Sequence, residues 1–411
     1  MKILITTDGT WGDVLPFIFT AKELKNRGHE VIFLTNEYYK DFIEQKGLTF
    51  IKTTDTSDRA KLLNDPMLWD GIKGVKVIGK AAGIIFEKSY PIIFKEAQNA
   101  DLIISYSFMY AAKTVAEILN KYYMCLFISP IQMRSHIRLP VIDTRSNPNT
   151  LPNFIKKLFY FIGDNFFIDP YFSKNINVSR RSLGLRPIKR FSNWAESKEL
   201  NIGFWSDWYA KVESDQKNLE LVGFPTNIEF VDVLDEKVSK WLKDGKPPIL
   251  FTLGSGYVHE SVLFKNVLEL ARSKKERVLY VGKINTSIPE QEWFMKVEKV
   301  SLSKTLPFCS LIIHHGGAGT VTQSLISGIP QLIAPMSHDQ PDNACRVFEN
   351  GLGNIVKNHN ISYLDLENLV NITRNEKIII NCKIAANRIN LENNAIKLAV
   401  DKIEASFEKH C

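Results

Sequence analysis

Cysteine is sparse in this sequence and never paired in spacing. The five cysteines, Cys125, Cys309, Cys345, Cys382 and Cys411, show no C-x-x-C motif and are odd in number. That argues against a disulfide framework and predicts reduced thiols in a cytoplasmic protein. Long hydrophobic runs are absent as well. None approaches the ~20 residues needed to span a bilayer, and the start, MKILITTDGT, lacks the apolar core and cleavage site of a signal peptide. No His, Cys, Asp or Glu spacing suggests a metal site. No repeat or low-complexity segment is visible. Charge of one sign is not massed either: 52 Lys and Arg against 45 Asp and Glu leave a net +7, dispersed along the chain. The densest basic group, SRRSLGLRPIKR (179–190), is expected to be a solvated helix and turn, and no nucleic-acid partner is expected.

What is present is enough for two cores: 411 residues, 45% of them hydrophobic. The first half reads as strands alternating with helices. KILITT, EVIFLTN, LTFIKT, DLIISY and YMCLFIS are apolar runs of strand length, and PFIFTAKELKNRG and EYYKDFIEQKG carry helical spacing between them. The pattern restarts near 248 with PILFTLGS, ERVLYVG, LIIHH, PQLIAPM and GNIVKN. Such alternation implies βαβ units and parallel sheets, an α/β protein of two Rossmann-like domains. The halves join through 218–246, with LVGFPTN (221–227) as the expected hinge, and the chain is mostly helical after 362. An aromatic-rich region, FIKKLFYFIGDNFFIDPYF (154–172), has two readings: a packed helix pair, or the wall of an apolar pocket.

The chemistry concentrates in HHGGAGTVTQSLISGIPQLIAPMSHDQPDN (314–343). A strand runs into GGAG and then a helix, so free backbone amides stand at the positive end of a helix dipole. That suits a diphosphate. His315, Gly317, Ala318, Gly319 and Thr320 are the candidates for it. Adjacent histidines on a strand point to opposite faces, so only one of His314 and His315 should reach a ligand. The next strand ends in SHDQPDN, which puts His338, Asp339 and Gln340 in the same crevice, where a carboxylate and an amide can hold sugar hydroxyls.

The motif H-x-G-x-x-T, then G-I-P, then D-Q-x-x-N resembles the donor signature of GT-B nucleotide-sugar glycosyltransferases, the plant secondary-product and bacterial antibiotic and macrolide enzymes. His315, Gly317, Gly319, Thr320, Gly328, Pro330, Asp339, Gln340 and Asn343 carry the match. TTDGTWGDVLPFI resembles the bacterial opening G-x-x-G-D-x-x-P, and NDPMLWD, INVSRRSLGLRPIKR, LVGFP, ILFTLGS and SHDQPDN resemble the rhamnolipid rhamnosyltransferase subgroup. The resemblance implies an acceptor domain (1–225), a donor domain (226–385) and a C-terminal helix (386–411) returning to the first. It implies Asp13 as general base, Ser255 at a phosphate, Val300 where relatives stack an aromatic on the base, and Trp11 and Tyr106 at the acceptor. Asp13 has one competing reading, a helix N-cap.

The function so implied is inverting transfer of a hexose or deoxyhexose from a UDP- or dTDP-sugar to a hydroxyl of a hydrophobic or lipid-like acceptor. No cofactor and no obligatory metal are implied. A nucleotide-sugar 2-epimerase and a non-catalytic glycosyltransferase-like helper are the alternatives. Peripheral membrane contact and a homodimer stay open.

Overall fold

The computed structural model describes residues 1–71, 73–226, 228, 234–254, 262–283, 291–392 and 394–410. The first sheet holds β1 (Lys2–Thr6), β2 (Glu30–Asn36), β3 (Thr49–Thr54), β4 (Leu102–Tyr106), β5 (Tyr122–Phe127), β6 (Leu200–Gly203) and β7 (Leu219–Leu221). The second holds β8 (Ile249–Thr252), β9 (Val278–Val281), β10 (Phe294–Val297), β11 (Leu311–His314), β12 (Gln331–Ile333) and β13 (Gly353–Ile355). Their orders are β3-β2-β1-β4-β5-β6-β7 and β10-β9-β8-β11-β12-β13, and every pairing is parallel. Helices cover both faces of such sheets, so their strands read as unbroken apolar runs. Ile3, Leu4 and Ile5 of β1 and Leu311, Ile312 and Ile313 of β11 are buried accordingly.

Each sheet reverses its strand order once, between β1 and β4 and between β8 and β11. A crevice opens outside the carboxyl ends of the strands at such a reversal. Seven helices bear on the site and its surroundings: α1 (Trp11–Asn26), α2 (Lys73–Ala97), α3 (Asn153–Gly163), α4 (Ala318–Ser327), α5 (Gln340–Glu349), α6 (Glu376–Leu391) and α7 (Ala395–Glu408). The crevices of the two sheets meet, because the first turns of α1 and α4 touch. A Cβ added to Gly319 would lie 2.9 Å from the Gly12 Cα.

The chain's end closes on its beginning. Ala399, Val400 and Ile403 of α7 are fully buried in the core of the first half, and Arg27 of α1 reaches Asp401 (2.6 Å) and Glu404 (2.8 Å). Residue 386 falls inside α6, which packs on the second half beneath Gly328; the returning segment is α7.

Three short strands, β6, β7 and β10, and the 25-residue helix α2 were not legible as such in the sequence. Strands of three or four residues are too short to show a period. The basic group at 179–190 corrects the expectation of a wholly solvated face. Arg180 is buried, paired with Glu117 at 2.8 Å and set over the Trp194 ring, and Arg190 pairs with Asp169 at 2.8 Å. Arg181, Arg186 and Lys189 are exposed. The hinge segment LVGFPTN leaves directly from β7, with Val222 and Phe224 buried; Asn227 lies outside the described residues.

Candidate active site

Strand β11 delivers the two histidines to opposite faces. His314 is fully buried: its Nδ1 accepts from the Gly316 amide (3.2 Å), so Nε2 carries the proton and donates to Gln331 Oε1 (3.1 Å). Burial pushes its pKa down to about 3. His315 faces the crevice with its ring held between Gly254 and Gly317. A Cβ built on either glycine would fall 2.7 or 2.6 Å from that ring, so no larger residue fits there without displacing it. Burial lowers the His315 pKa to about 4. The ring is therefore neutral at pH 7 and acts as a hydrogen-bonding group, not as a cation. Its Nδ1 has no partner among the described residues.

Helix α4 starts immediately after. Gly317 is its N-cap, no side chain caps it, and its first turn holds no acid. The Ala318 amide meets the Asp339 carboxylate, and the amides of Gly319 and Thr320 follow it at the helix start, beside the positive end of its dipole. Gly316, at φ +92°, makes the turn that aims them.

Asp339, the N-cap of α5, faces the same space. Burial is the main cause that raises its pKa, to about 7. The nearby Asp13 charge raises it further, and Asn343 and the Ala318 amide oppose the rise. Asn343 fixes it: its Nδ2 donates to Asp339 Oδ2 (2.8 Å) and to the Gly316 carbonyl (3.0 Å), while its Oδ1 accepts from Ser129 of the first half (3.0 Å). One amide thus ties the two sheets together behind the site. Gln340 corrects a detail of the expected sugar clamp. Its Oε1 accepts from the Met336 and Ser337 amides (2.9 and 3.3 Å), so that oxygen braces the loop and only its NH₂ is left for a ligand. His338 sits in the left-handed region at φ +61°, edge-on to Trp69 of the first half, its pKa lowered to about 4 by burial.

The first half contributes α1. Asp13, in its first turn, accepts from the Thr10 amide (2.7 Å) and hydroxyl (2.8 Å) through Oδ2. The N-cap reading of Asp13 is corrected: Thr10 is the N-cap and Asp13 is the N3 member of a capping box, and the same carboxylate lines the cavity between the sheets. Burial raises its pKa, against the pull of the Thr10 donors and Arg59. Tyr106 also lines the cavity, and its hydroxyl accepts from Gln132 Nε2 (2.6 Å). Trp11 borders it too, its ring edge-on to Tyr38, Tyr39 and Phe42.

Sequence reasoning missed a second carboxylate, Asp8. It lines the same cavity, and burial raises its pKa to about 6, while Gly9, Arg59 and Thr54 lower it. Arg59 stacks on Tyr38 at 4.4 Å and donates to the Gly9 carbonyl. Asp8 was visible in the motif TTDG, but nothing in the sequence said that its side chain would turn inward.

These groups line one cavity of about 1820 Å³. At one end lie Val300, Val281 and Leu302, an aliphatic slot where the resemblance places an aromatic in other members. At the other lie Met109, Phe159, Tyr160, Phe167, Phe172 and Phe191. The aromatic region thus answers to both of its readings, since Phe172 is buried core and its neighbours are pocket wall. Ser255 lies outside the described residues. Among the described residues no group of three or more His, Cys, Asp and Glu side chains is placed to hold a metal ion, and no helix is long and apolar enough to cross a membrane.

Residues 3–135 match the glycosyltransferase family 28 N-terminal domain, and residues 283–395 match the erythromycin biosynthesis protein CIII-like C-terminal domain. A sterol 3-beta-glucosyltransferase of Arabidopsis thaliana is 27% identical over 378 residues, 86% of this chain; the chain spans only 59% of that protein's length. An uncharacterized glycosyltransferase of Mycobacterium tuberculosis is 24% identical over 86% of each chain. Among solved structures, the glycosyltransferase of kitacinnamycin superposes with a TM-score of 0.77 at 14% identity, covering 99% of both chains. The glycosyltransferase VinC in complex with dTDP superposes at 0.70 with 18% identity, covering both chains fully. With two facing parallel sheets and a glycosyltransferase domain model matching part of each half, the chain has the fold of the GT-B glycosyltransferase structures.

Proposed function

We propose that the protein transfers a hexose or deoxyhexose from a UDP- or dTDP-sugar to the hydroxyl of an apolar, lipid-like acceptor, with inversion at the anomeric carbon. The observation that carries this reading is the single cavity, polar and amide-lined at α4, aromatic at the far end, with Asp13 on the wall between. The diphosphate is met by the amides of Ala318 and Gly319, by Thr320 and by neutral His315, which together stabilise the charge that develops on the leaving group. Val300 packs on the base. Asp339, the Gln340 NH₂ and His338 orient the sugar. The acceptor hydroxyl lies between Asp13 and Tyr106, with Trp11 beside it. Asp13 takes its proton as the oxygen attacks, and its raised pKa makes it the stronger base. No step requires a metal or another cofactor.

Two relationships support the choice of substrates. Structural neighbours include complexes with thymidine diphosphate, and sequence relatives include sterol glucosyltransferases. Aromatic walls favour a polycyclic or hydroxyacyl acceptor, because burying apolar ligand surface gains roughly 25 cal/mol per Å².

The test is consumption of UDP- and dTDP-sugars with and without a panel of sterol, hydroxy-fatty-acyl, macrolide and simple-sugar acceptors. Nucleotide release that depends on an apolar alcohol is the expected result. Isomerisation of the donor with no acceptor present would establish the epimerase instead, and no turnover with any pair would leave the helper.

A further inference from the structure

The acceptor wall continues outward in an unusual way. Helix α3 turns its polar contacts inward: Lys156 is buried, its Nζ donating to the Ile137 carbonyl (2.9 Å), and the Tyr160 hydroxyl accepts from the Ser135 amide. Its apolar residues point to water. Phe154, Leu158, Phe161 and Ile162, spaced i, i+4, i+7 and i+8, form one helical stripe, and Phe166 follows in the π-helical turn Asp164–Ile168. Phe154 is 74% exposed and Phe166 66% exposed. A surface helix ordinarily buries such a stripe. An outward apolar stripe of this kind marks an interaction surface.

The stripe is continuous with the cavity mouth. Phe159, between its members, and Phe167, just after Phe166, line the cavity and are themselves exposed. Across the mouth stand Met67, Ile84 and Ile142, exposed as well. The start of α2, which packs against the π-helical turn, adds charge of one sign. Lys73, Lys76 and Lys80 recur on one side of that helix at i, i+3 and i+7 and border the mouth. With Lys157 of α3 they are exposed cations that make no ion pair among the described residues. The acids nearest in the mouth are otherwise engaged: Asp58 with Lys88, Asp143 with Arg145, Asp164 with Arg134, and Asp65 with the Met67 amide.

We propose that this face docks on a bilayer containing anionic phospholipid, with the apolar stripe in the interfacial region and the lysines against the headgroups, so that the cavity opens towards the lipid. Apolar area and cationic rim act together in such binding, and neither suffices alone. Docking there would let a lipid-like alcohol pass from the bilayer into the acceptor end without crossing water. The inference rests on the reading of that end as a lipid-acceptor pocket, but its test does not use the reaction.

The experiment is co-sedimentation of the full chain with vesicles of phosphatidylcholine alone and of phosphatidylcholine with about one part in three phosphatidylglycerol. Expected is association with the anionic vesicles at least about tenfold above the neutral ones, weakened by salt. Phe161→Asp with Phe166→Asp should abolish it, while the shift in melting temperature given by UDP or dTDP stays as in wild type. Lys73→Glu with Lys76→Glu and Lys80→Glu should weaken it by a similar factor. No association with anionic vesicles, or association indifferent to the paired phenylalanine change, overturns the proposal. So does a dimer that those same two substitutions split, since a second copy would then be the occupant. Vesicle binding without any sugar transfer leaves the docking face standing and removes the proposed reaction; transfer to a detergent-dispersed alcohol without vesicle binding does the reverse.

Discussion

Helices α1 and α4 begin alike and end up with opposite chemistry. Each follows the strand at its sheet's reversal point, each has glycine at its second position, and these glycines, Gly12 and Gly319, touch. In α1 the third position is Asp13, whose carboxylate reaches back to Thr10 and fills the helix start with the protein's own negative charge. In α4 the third position is Thr320, the N-cap is Gly317, and the first turn has no acid. A helix start filled by its own acid has little use for another anion; at α4 the only protein carboxylate met is Asp339 from α5, at the Ala318 amide, and the helix's own first turn leaves room for a ligand's charge. The pair therefore places a base and an anion hole within one glycine contact of each other, and the division of labour follows from which residue stands at N3.

Removing that asymmetry should have the largest effect. Asp13→Asn keeps an acceptor oxygen for Thr10 but removes the basic group. Transfer to the acceptor should fall ~10²–10⁴-fold. Donor binding should hold, measured as the shift in melting temperature with nucleotide diphosphate. A variant that loses stability yet keeps its rate per folded molecule would leave Asp13 as a helix cap only.

The α4 side is sharpened by the two histidines. His315→Ala should lower kcat by ~10²–10³, the scale for loss of one donor to developing charge, with the melting temperature nearly unchanged. His314→Ala should do the converse. It leaves the Gly316 amide and Gln331 without their buried partner and should cost ~1–3 kcal/mol of stability, with the rate of the folded fraction retained. Equal kinetic losses for both would mean that the strand does not separate their roles.

The two helix starts were also the most legible parts of the sequence. HHGGAGT was singled out by a glycine turn running into a helix start and by the D-Q pair downstream, and GTWGD only by its resemblance to the bacterial opening, since its acid had a helix-cap reading as well. Opposite facing of His314 and His315 followed from strand periodicity alone. What the sequence could not show was decided by packing. Asp8 turns inward because Gly9 and Thr54 hold it there, and Gln340 lends its oxygen to its own loop. β6, β7 and β10 are strands because neighbours pair with them, not because three or four residues announce it. The outward stripe on α3 was the least legible: its spacing is that of a core helix, and only the fold shows which way it faces.

The smallest expected effect is a pH dependence set between the two helix starts. Asp339 near α4 and Asp13 on α1 are like charges turned toward one cavity, and Asp339 titrates at about 7 instead of the usual carboxylate range. A carboxyl whose pKa is raised by folding binds its proton more tightly in the native state. Its stabilising contribution is complete below the unfolded value of 3.8 and is lost as pH rises through about 7. The contribution of Asp339 alone should therefore fall between roughly pH 4 and 8, against the opposite trend of the buried neutral histidines, so the variant is compared with wild type at each pH. Asp339→Asn removes the charge while keeping an oxygen for Asn343. It should melt about 2 °C or more above wild type at pH 8, on the scale of ~1 kcal/mol for a chain this long, and by less as the pH is lowered towards about 4. The same variant should bind the sugar nucleotide more weakly than wild type at both pH values, because a hydroxyl that donated to the carboxylate now meets a weaker acceptor. A melting advantage that does not vary with pH would mean that the Asp339 carboxyl titrates alike in the folded and unfolded chain, its charge compensated, and that α1 and α4 do not sense each other's charge.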